Sequence, residues 1–151
     1  MNSVSIMISE RLKDIREDAS LTQNEMAEIL KTTQTNYSRW ETEREFIPLK
    51  KLSLLCNYFD VTMDYVIGLT RTSSSHNNKY RLSSKTIGKQ IKILRYEKNI
   101  TQTDLADVLN TSQSTISAYE NGKTILLTAF ALQIVKNYKV SLDWLCGRYE
   151  K

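Results

Sequence analysis

Residues 21–41 read LTQNEMAEILKTTQTNYSRWE, and residues 100–120 read ITQTDLADVLNTSQSTISAYE. Each stretch reads as two short helices joined by a three-residue turn. Thr22-Gln23-Asn24-Glu25 opens the first helix as a capping box, in which the Thr hydroxyl and the Glu carboxylate satisfy free amides. That helix ends near Leu30, and the turn is Lys31-Thr32-Thr33, or Asn110-Thr111-Ser112 in the second stretch. Thr33 caps the next helix, which carries Tyr37 and Trp40 on its buried side. Ala27 and Ala106 fall where the two helices cross, and a small side chain there lets them approach.

The two stretches are parts of a longer repeat. Sliding the chain by 79 residues lays 8–70 over 87–149 without a gap, with 14 identities in 63 positions. Arg16/Arg95, Thr22/Thr101, Gln23/Gln102, Gln34/Gln113, Ser38/Ser117 and Glu41/Glu120 are among them, and most other apolar positions stay apolar. A period near 80 is too long for a solenoid unit and means two copies of one small domain. Around the quoted core, Ile8, Leu12, Ile15 and Ala19 fall at helical spacing. Pro48 opens a fourth helix at its first position, bearing Leu52, Leu55 and Phe59, and Thr62 caps a short fifth that ends near Gly68. In the second copy the expected caps are Ser84, Thr101, Ser112, Thr128 and Ser141. The expected fold is all-α: two tandem five-helix domains, 1–70 and 84–151, joined by a polar, flexible linker at 71–83 that includes His76.

Composition agrees with this reading and narrows the function. The 151 residues include only four Gly and one Pro, too few for an all-β fold with its frequent turns. No stretch approaches the ~18 apolar residues of a membrane span, and the first residues lack the pattern of a signal peptide. A cytoplasmic, nucleoid-associated protein of a bacterium or phage is therefore expected. Cys56 and Cys146 align with Val135 and Ile67 and are expected in the core, as are Trp40 and Trp144. One His and two distant Cys supply no metal cluster, and no nucleophile–base pair or Gly-rich phosphate loop is present. No cofactor, metal or enzymatic activity is expected. Net charge is +4, but residues 1–70 carry 8 basic and 11 acidic side chains, and residues 71–151 carry 13 and 6.

The outer face of the third helix carries Gln34, Thr35, Asn36, Ser38 and Arg39 in copy one, and Gln113, Ser114, Thr115 and Ser117 in copy two. Short hydroxyls and amides with no acid among them suit a helix pressed into a major groove, where Gln and Asn can bond adenine and Arg can bond guanine. At this point the chain resembles the phage-repressor/Cro-type (XRE-type) helix-turn-helix proteins. The resemblance rests on Thr-Gln-x-x-(Met/Leu)-Ala-x-x-Leu, then Gln-x-x-x-Ser-x-(Trp/Tyr)-Glu, then Val-(Thr/Ser)-x-Asp-(Tyr/Trp), each occurring twice at one offset. It implies operator binding to double-stranded DNA through the third helix. It further implies that Gln23 and Gln102 touch a phosphate and brace Gln34 and Gln113. Asn121 and Lys123 match the loop that grips the DNA backbone, and Arg44 is counted with them in copy one. Arg16 with Glu41, and Arg95 with Glu120, resemble the family's internal ion pair, assigned to architecture.

Copy one departs from the pattern. Lys31 stands where the family usually has Gly, and Glu43 and Glu45 would repel phosphates. Two alternatives stay open for the run Ile125-Leu126-Leu127: core around the fourth helix, or an exposed patch for a homodimer or an intramolecular pseudo-dimer. Lys85, Lys89 and Lys92 recur on one helical face, either solvated or phosphate-facing. The expected function is a sequence-specific transcriptional regulator, a repressor. Its rival is a protein-interaction adaptor or antitoxin-like protein in which only the second domain binds DNA.

Overall fold

The computed structural model describes residues 3–73 and 79–148, with side chains from residue 7 onward. Among the described residues the protein is all-α, with ten helices and no strand. The chain divides into two units between Tyr80 and Arg81. The first holds α1 (Ser3–Asp18), α2 (Gln23–Ile29), α3 (Gln34–Glu41), α4 (Leu49–Phe59) and α5 (Met63–Val66). The second holds α6 (Ser84–Lys98), α7 (Gln102–Leu109), α8 (Gln113–Glu120), α9 (Thr128–Tyr138) and α10 (Leu142–Leu145). No helix among the described residues is long and apolar enough to cross a membrane.

The starts of the helices follow from side-chain caps. Thr22 accepts the Glu25 N–H at 3.1 Å while Glu25 accepts the Thr22 N–H at 3.1 Å. Thr101 and Asp104 repeat the box with bonds of 2.9 and 3.0 Å. Three expected starts shift by one residue. α6 is capped by Ser83, whose extended backbone lets its hydroxyl accept the Thr86 N–H, whereas the Ser84 hydroxyl donates to the Gly122 carbonyl at 2.8 Å. α9 starts at Thr128 with Leu127 as an N-cap that makes no side-chain bond. Pro48, with ψ 146°, stands just outside α4 as its N-cap rather than as its first residue.

In each unit the helices close over one core. Leu12, Met26, Leu30, Tyr37, Leu52 and Leu55 are fully buried in the first; Ile91, Leu94, Leu105, Ile116, Ile134 and Leu142 are buried in the second. Each such aliphatic side chain contributes about 2 kcal/mol by leaving water. Cys56 and Cys146 are buried free thiols, Trp40 is buried and Trp144 is half-buried. The run 125–127 splits: Leu126 is core, Ile125 is half-buried, and Leu127 is 58% exposed.

The repeat is kept in the backbone even where the side chains differ. Left-handed φ occurs at Ser20, Lys31, Glu43, Asp60 and Gly68, and at their register partners Asn99, Asn110, Gly122, Lys139 and Gly147. The connection between the units is in part tied down. Asn57 of α4 donates its amide to the Tyr80 carbonyl at 2.7 Å and accepts the Tyr80 N–H at 3.1 Å, and the Lys79 ammonium donates to the Asn57 carbonyl. His76 lies outside the described residues.

Candidate nucleic-acid interface

The third helix of each unit is fixed from beneath. In α3, Tyr37 and Trp40 are buried in edge-to-face contact at 6.0 Å; in α8, Ile116 and Tyr119 are buried. Helical periodicity then turns the other face outward. Gln34, Thr35, Asn36 and Arg39 are exposed and Ser38 half-buried; Gln113 and Ser114 are exposed, and Thr115 and Ser117 half-buried. Gln23, Gln34, Thr35, Ser38, Arg39 and Arg44 line one shallow concavity together with Thr42. In the second unit Gln102 and Gln113 line a cleft with Arg95, Tyr96 and the turn from Asn99 to Thr103.

Beneath each face lies an ion pair. Arg95 donates to Glu120 from Nε at 2.6 Å and from Nη2 at 2.9 Å, and from Nη1 to the Ile100 carbonyl at 3.1 Å. Its side chain is 9% exposed and that of Glu120 2%. Arg16 repeats this with Glu41 at 2.9 and 2.8 Å and with the Leu21 carbonyl at 2.9 Å. The pairs tie the end of the third helix to the first helix and to the turn before the second. Donating to the Glu120 carboxylate raises the Arg95 guanidinium further above its ordinary range, and Glu41 does the same to Arg16. Burial pushes the Glu41 carboxyl up, but Arg16, Tyr37 and Gln23 outweigh it and hold the group below its usual range. Burial, reinforced by Glu41, pushes the Tyr37 hydroxyl up.

The two units part company at their glutamines. In the second, Gln102 Nε2 donates to Glu120 at 3.3 Å and Gln113 Nε2 donates to Gln102 Oε1 at 2.6 Å. A carboxylate only accepts, so Glu120 fixes the orientation of the Gln102 amide, and Gln102 in turn fixes that of Gln113. Gln113 itself is exposed, and its amide oxygen takes no partner among the described residues. In the first unit, no side-chain hydrogen bond among the described residues joins Gln23 to Gln34. Arg39 is instead held by Glu45 at 3.1 Å, with both side chains about half exposed. Glu43 accepts from the buried Ser9 hydroxyl at 3.2 Å.

Other expected contact residues are engaged locally. Asn36 Nδ2 donates to Thr32 Oγ1 at 3.2 Å, and Asn121 Nδ2 donates to Ser117 Oγ at 3.3 Å. The Ser112 hydroxyl lies 3.0 Å from that of Ser114 and 2.9 Å from that of Thr115. Lys123, Arg44 and Asn121 are exposed on the loops after the third helices. Sequence reasoning missed Ser9 and Tyr96, and gave Ser84 the role of a cap rather than of a donor to the Gly122 carbonyl. None carried a sequence signal for its contact: Ser9 and Tyr96 do not recur in the repeat, and the closeness of the first and third helices shows only in the fold, where a Cβ at Gly88 would lie 2.3 Å from the Tyr119 carbonyl oxygen.

A family profile described as a helix-turn-helix domain matches residues 9–70, and one described as helix-turn-helix matches residues 91–145. The chain is 33% identical over 90 residues to the HTH-type transcriptional regulator ImmR of Bacillus subtilis, covering 60% of this chain and 69% of that protein. It is 36% identical over 64 residues to YobD of the same organism, an uncharacterised HTH-type transcriptional regulator, covering 42% of this chain and 57% of YobD. The chain therefore spans little more than half of the latter. No solved structure matches it. With both halves of the chain matched and each unit folded as the same five helices, the chain belongs to the phage-repressor/Cro-type (XRE-type) helix-turn-helix family, present in two tandem copies.

Proposed function

We propose that the chain is a sequence-specific DNA-binding transcriptional regulator that represses by occupying a promoter, with α3 and α8 reading base edges. The observation that carries the reading is the relay Arg95–Glu120–Gln102–Gln113. It spends buried charge and two amides on orienting one exposed side chain. The exposed amide of Gln113 offers an acceptor and a donor side by side, the pattern that bonds adenine N6 and N7. Ser114, Thr115 and Ser117 lie along the same face, while Asn121 and Lys123 supply backbone contacts that position without specifying. In the first unit the same roles fall to Gln34, Thr35, Asn36, Ser38, Arg39 and Arg44, with Gln23 at the phosphate.

The Arg39–Glu45 pair favours a second reading for the first unit. An arginine held by a neighbouring carboxylate meets DNA only by giving up that partner, and the carboxylate then faces phosphate. In this reading the second unit supplies most of the affinity and the first contacts protein. Domain limits of 1–70 and 84–151, and a homodimer or pseudo-dimer through exposed Leu127, belong to the same proposal.

Selection of bound fragments from genomic DNA, followed by footprinting, tests it. A protected sequence that Q113A weakens by about 10-fold or more, the effect of losing one bidentate base contact, supports the regulator. Absence of any preferred fragment overturns it. If Q34A and R39A leave affinity and preference unchanged, the first unit does not read DNA.

A further inference from the structure

We propose that α6 carries a phosphate-tracking ridge, Lys85-Lys89-Lys92 with Tyr96, which extends the DNA surface of the second unit beyond the helix-turn-helix. The inference rests on the DNA-binding reading above and adds to it an element that the reading helix and its following loop do not include.

The four residues stand at i, i+4, i+7 and i+11 of α6 and so form one stripe along it. All four are exposed, Tyr96 to 68%. Both ends of the stripe are located by contacts. At the start of α6, the Ser84 hydroxyl donates to the Gly122 carbonyl at 2.8 Å. A Cβ on Gly122 would lie 2.9 Å from Lys85 Cγ and 3.0 Å from Lys85 Cα. Lys85 therefore stands against the loop that holds Asn121 and Lys123. Gly88 makes the approach close, since a Cβ there would lie 2.7 Å from the Glu120 carbonyl oxygen as well. At the other end, Tyr96 lines the same cleft as Gln102 and Gln113, with the Arg95 guanidinium 5.2 Å from its ring. Lys89 and Lys92 lie between these ends, so the stripe borders the reading surface along its length.

Its chemistry fits the phosphates of the strand flanking the site that α8 reads. Three ammonium groups follow one another a turn apart with no acid on the stripe, and a phenol at the end can donate to a phosphate oxygen. The matching stripe of α1 is different. Lys89 and Tyr96 are replaced by Glu10 and Glu17, and Lys13, the partner of Lys92, lies 4.0 Å from Glu17. The ridge is thus a property of the second copy alone and not of the shared scaffold.

The test is the salt dependence of duplex binding by the full chain, on a selected genomic fragment and on a random duplex. Each phosphate contact contributes about 0.9 to the slope of log affinity against log salt. K85Q/K89Q/K92Q is expected to remove about 2.7 of that slope. Between 50 and 200 mM salt the unaltered chain should then lose about 40-fold more affinity than the variant. The preference for the selected fragment over the random duplex should stay unchanged. A charge-matched variant, K98Q/K136Q/K139Q, should leave the slope as it was, and the single variants K85Q and K89Q should each remove about one contact. An unchanged slope in the triple variant, or an equal change in the charge-matched one, overturns the ridge and leaves the regulator reading standing. An unaltered chain that binds no duplex at 50 mM salt overturns both.

Discussion

Lys31 sits at φ +56°, where its Cβ crowds the backbone and costs about 1 kcal/mol that glycine escapes. Lys31→Gly should therefore stabilise the protein by up to ~1 kcal/mol in urea unfolding. The Lys51 ammonium bond to the Lys31 carbonyl at 3.0 Å survives that change, because it uses only the main chain. Arg95→Met is expected to act in the opposite direction and far more strongly. It leaves the Glu120 carboxylate buried without its guanidinium and should cost about 3–5 kcal/mol, with loss of the Gln113 orientation. Arg16→Met should cost less, because that pair is more exposed. The Glu41 carboxyl is held below its ordinary range in the folded chain. Its contribution is present above the unfolded pKa and is lost as pH falls through the folded one. The stability of the protein, followed by tryptophan fluorescence, should fall on acidification through the carboxylate range, and Glu41→Gln should flatten that limb. The paired Arg and Glu were visible in the sequence because they recur at one offset. Ser9–Glu43 was not, because neither residue recurs and their meeting depends on how closely two helices pack.

At the scale of elements, the first and third helices set the spacing of each unit. Gly88→Ala would push α6 from the end of α8 and should cost about 1–3 kcal/mol, measured by thermal unfolding. The first copy tolerates Ser9 at this register, so the two helix pairs are not interchangeable atom for atom. Helix identity and order were legible from the 3.6-residue periodicity and from Thr22, Thr33, Thr101 and Ser112. Starts were less so. Adjacent serines at 83 and 84 both satisfy the sequence rule for a cap, and only backbone conformation decides which hydroxyl meets an amide. Leu127 caps α9 with no side-chain bond at all, so it gave no sequence signal. The fate of 125–127 needed the fold for the same reason: one turn of irregular chain points Leu126 inward and Leu127 outward.

Across the whole molecule, charge and order are shared unevenly between the copies. Glutamates at 10, 43 and 45 stand where the second copy has Lys89, Gly122 and Thr124. Gln113→Ala should therefore weaken binding to a selected duplex more than Gln34→Ala, as titration of both variants checks. Of the run 125–127, Leu127 alone is exposed, and a homodimer built on it should lose apparent mass in sedimentation on Leu127→Ser. The duplication made the architecture readable from sequence alone. The asymmetry of the reading faces was only half readable, since Arg39 and Glu45 are six residues apart and meet through the turn between them.

The left-handed joints lie at the same five places in both copies although only one of the five residue pairs is identical. Hinges that match while their occupants drift make the copies modular at their seams. Recombination that crosses from one copy to the other at such a joint yields a hybrid whose chain direction is already correct. New pairings of reading helix and grip loop are thus open to this gene without the backbone having to be reinvented.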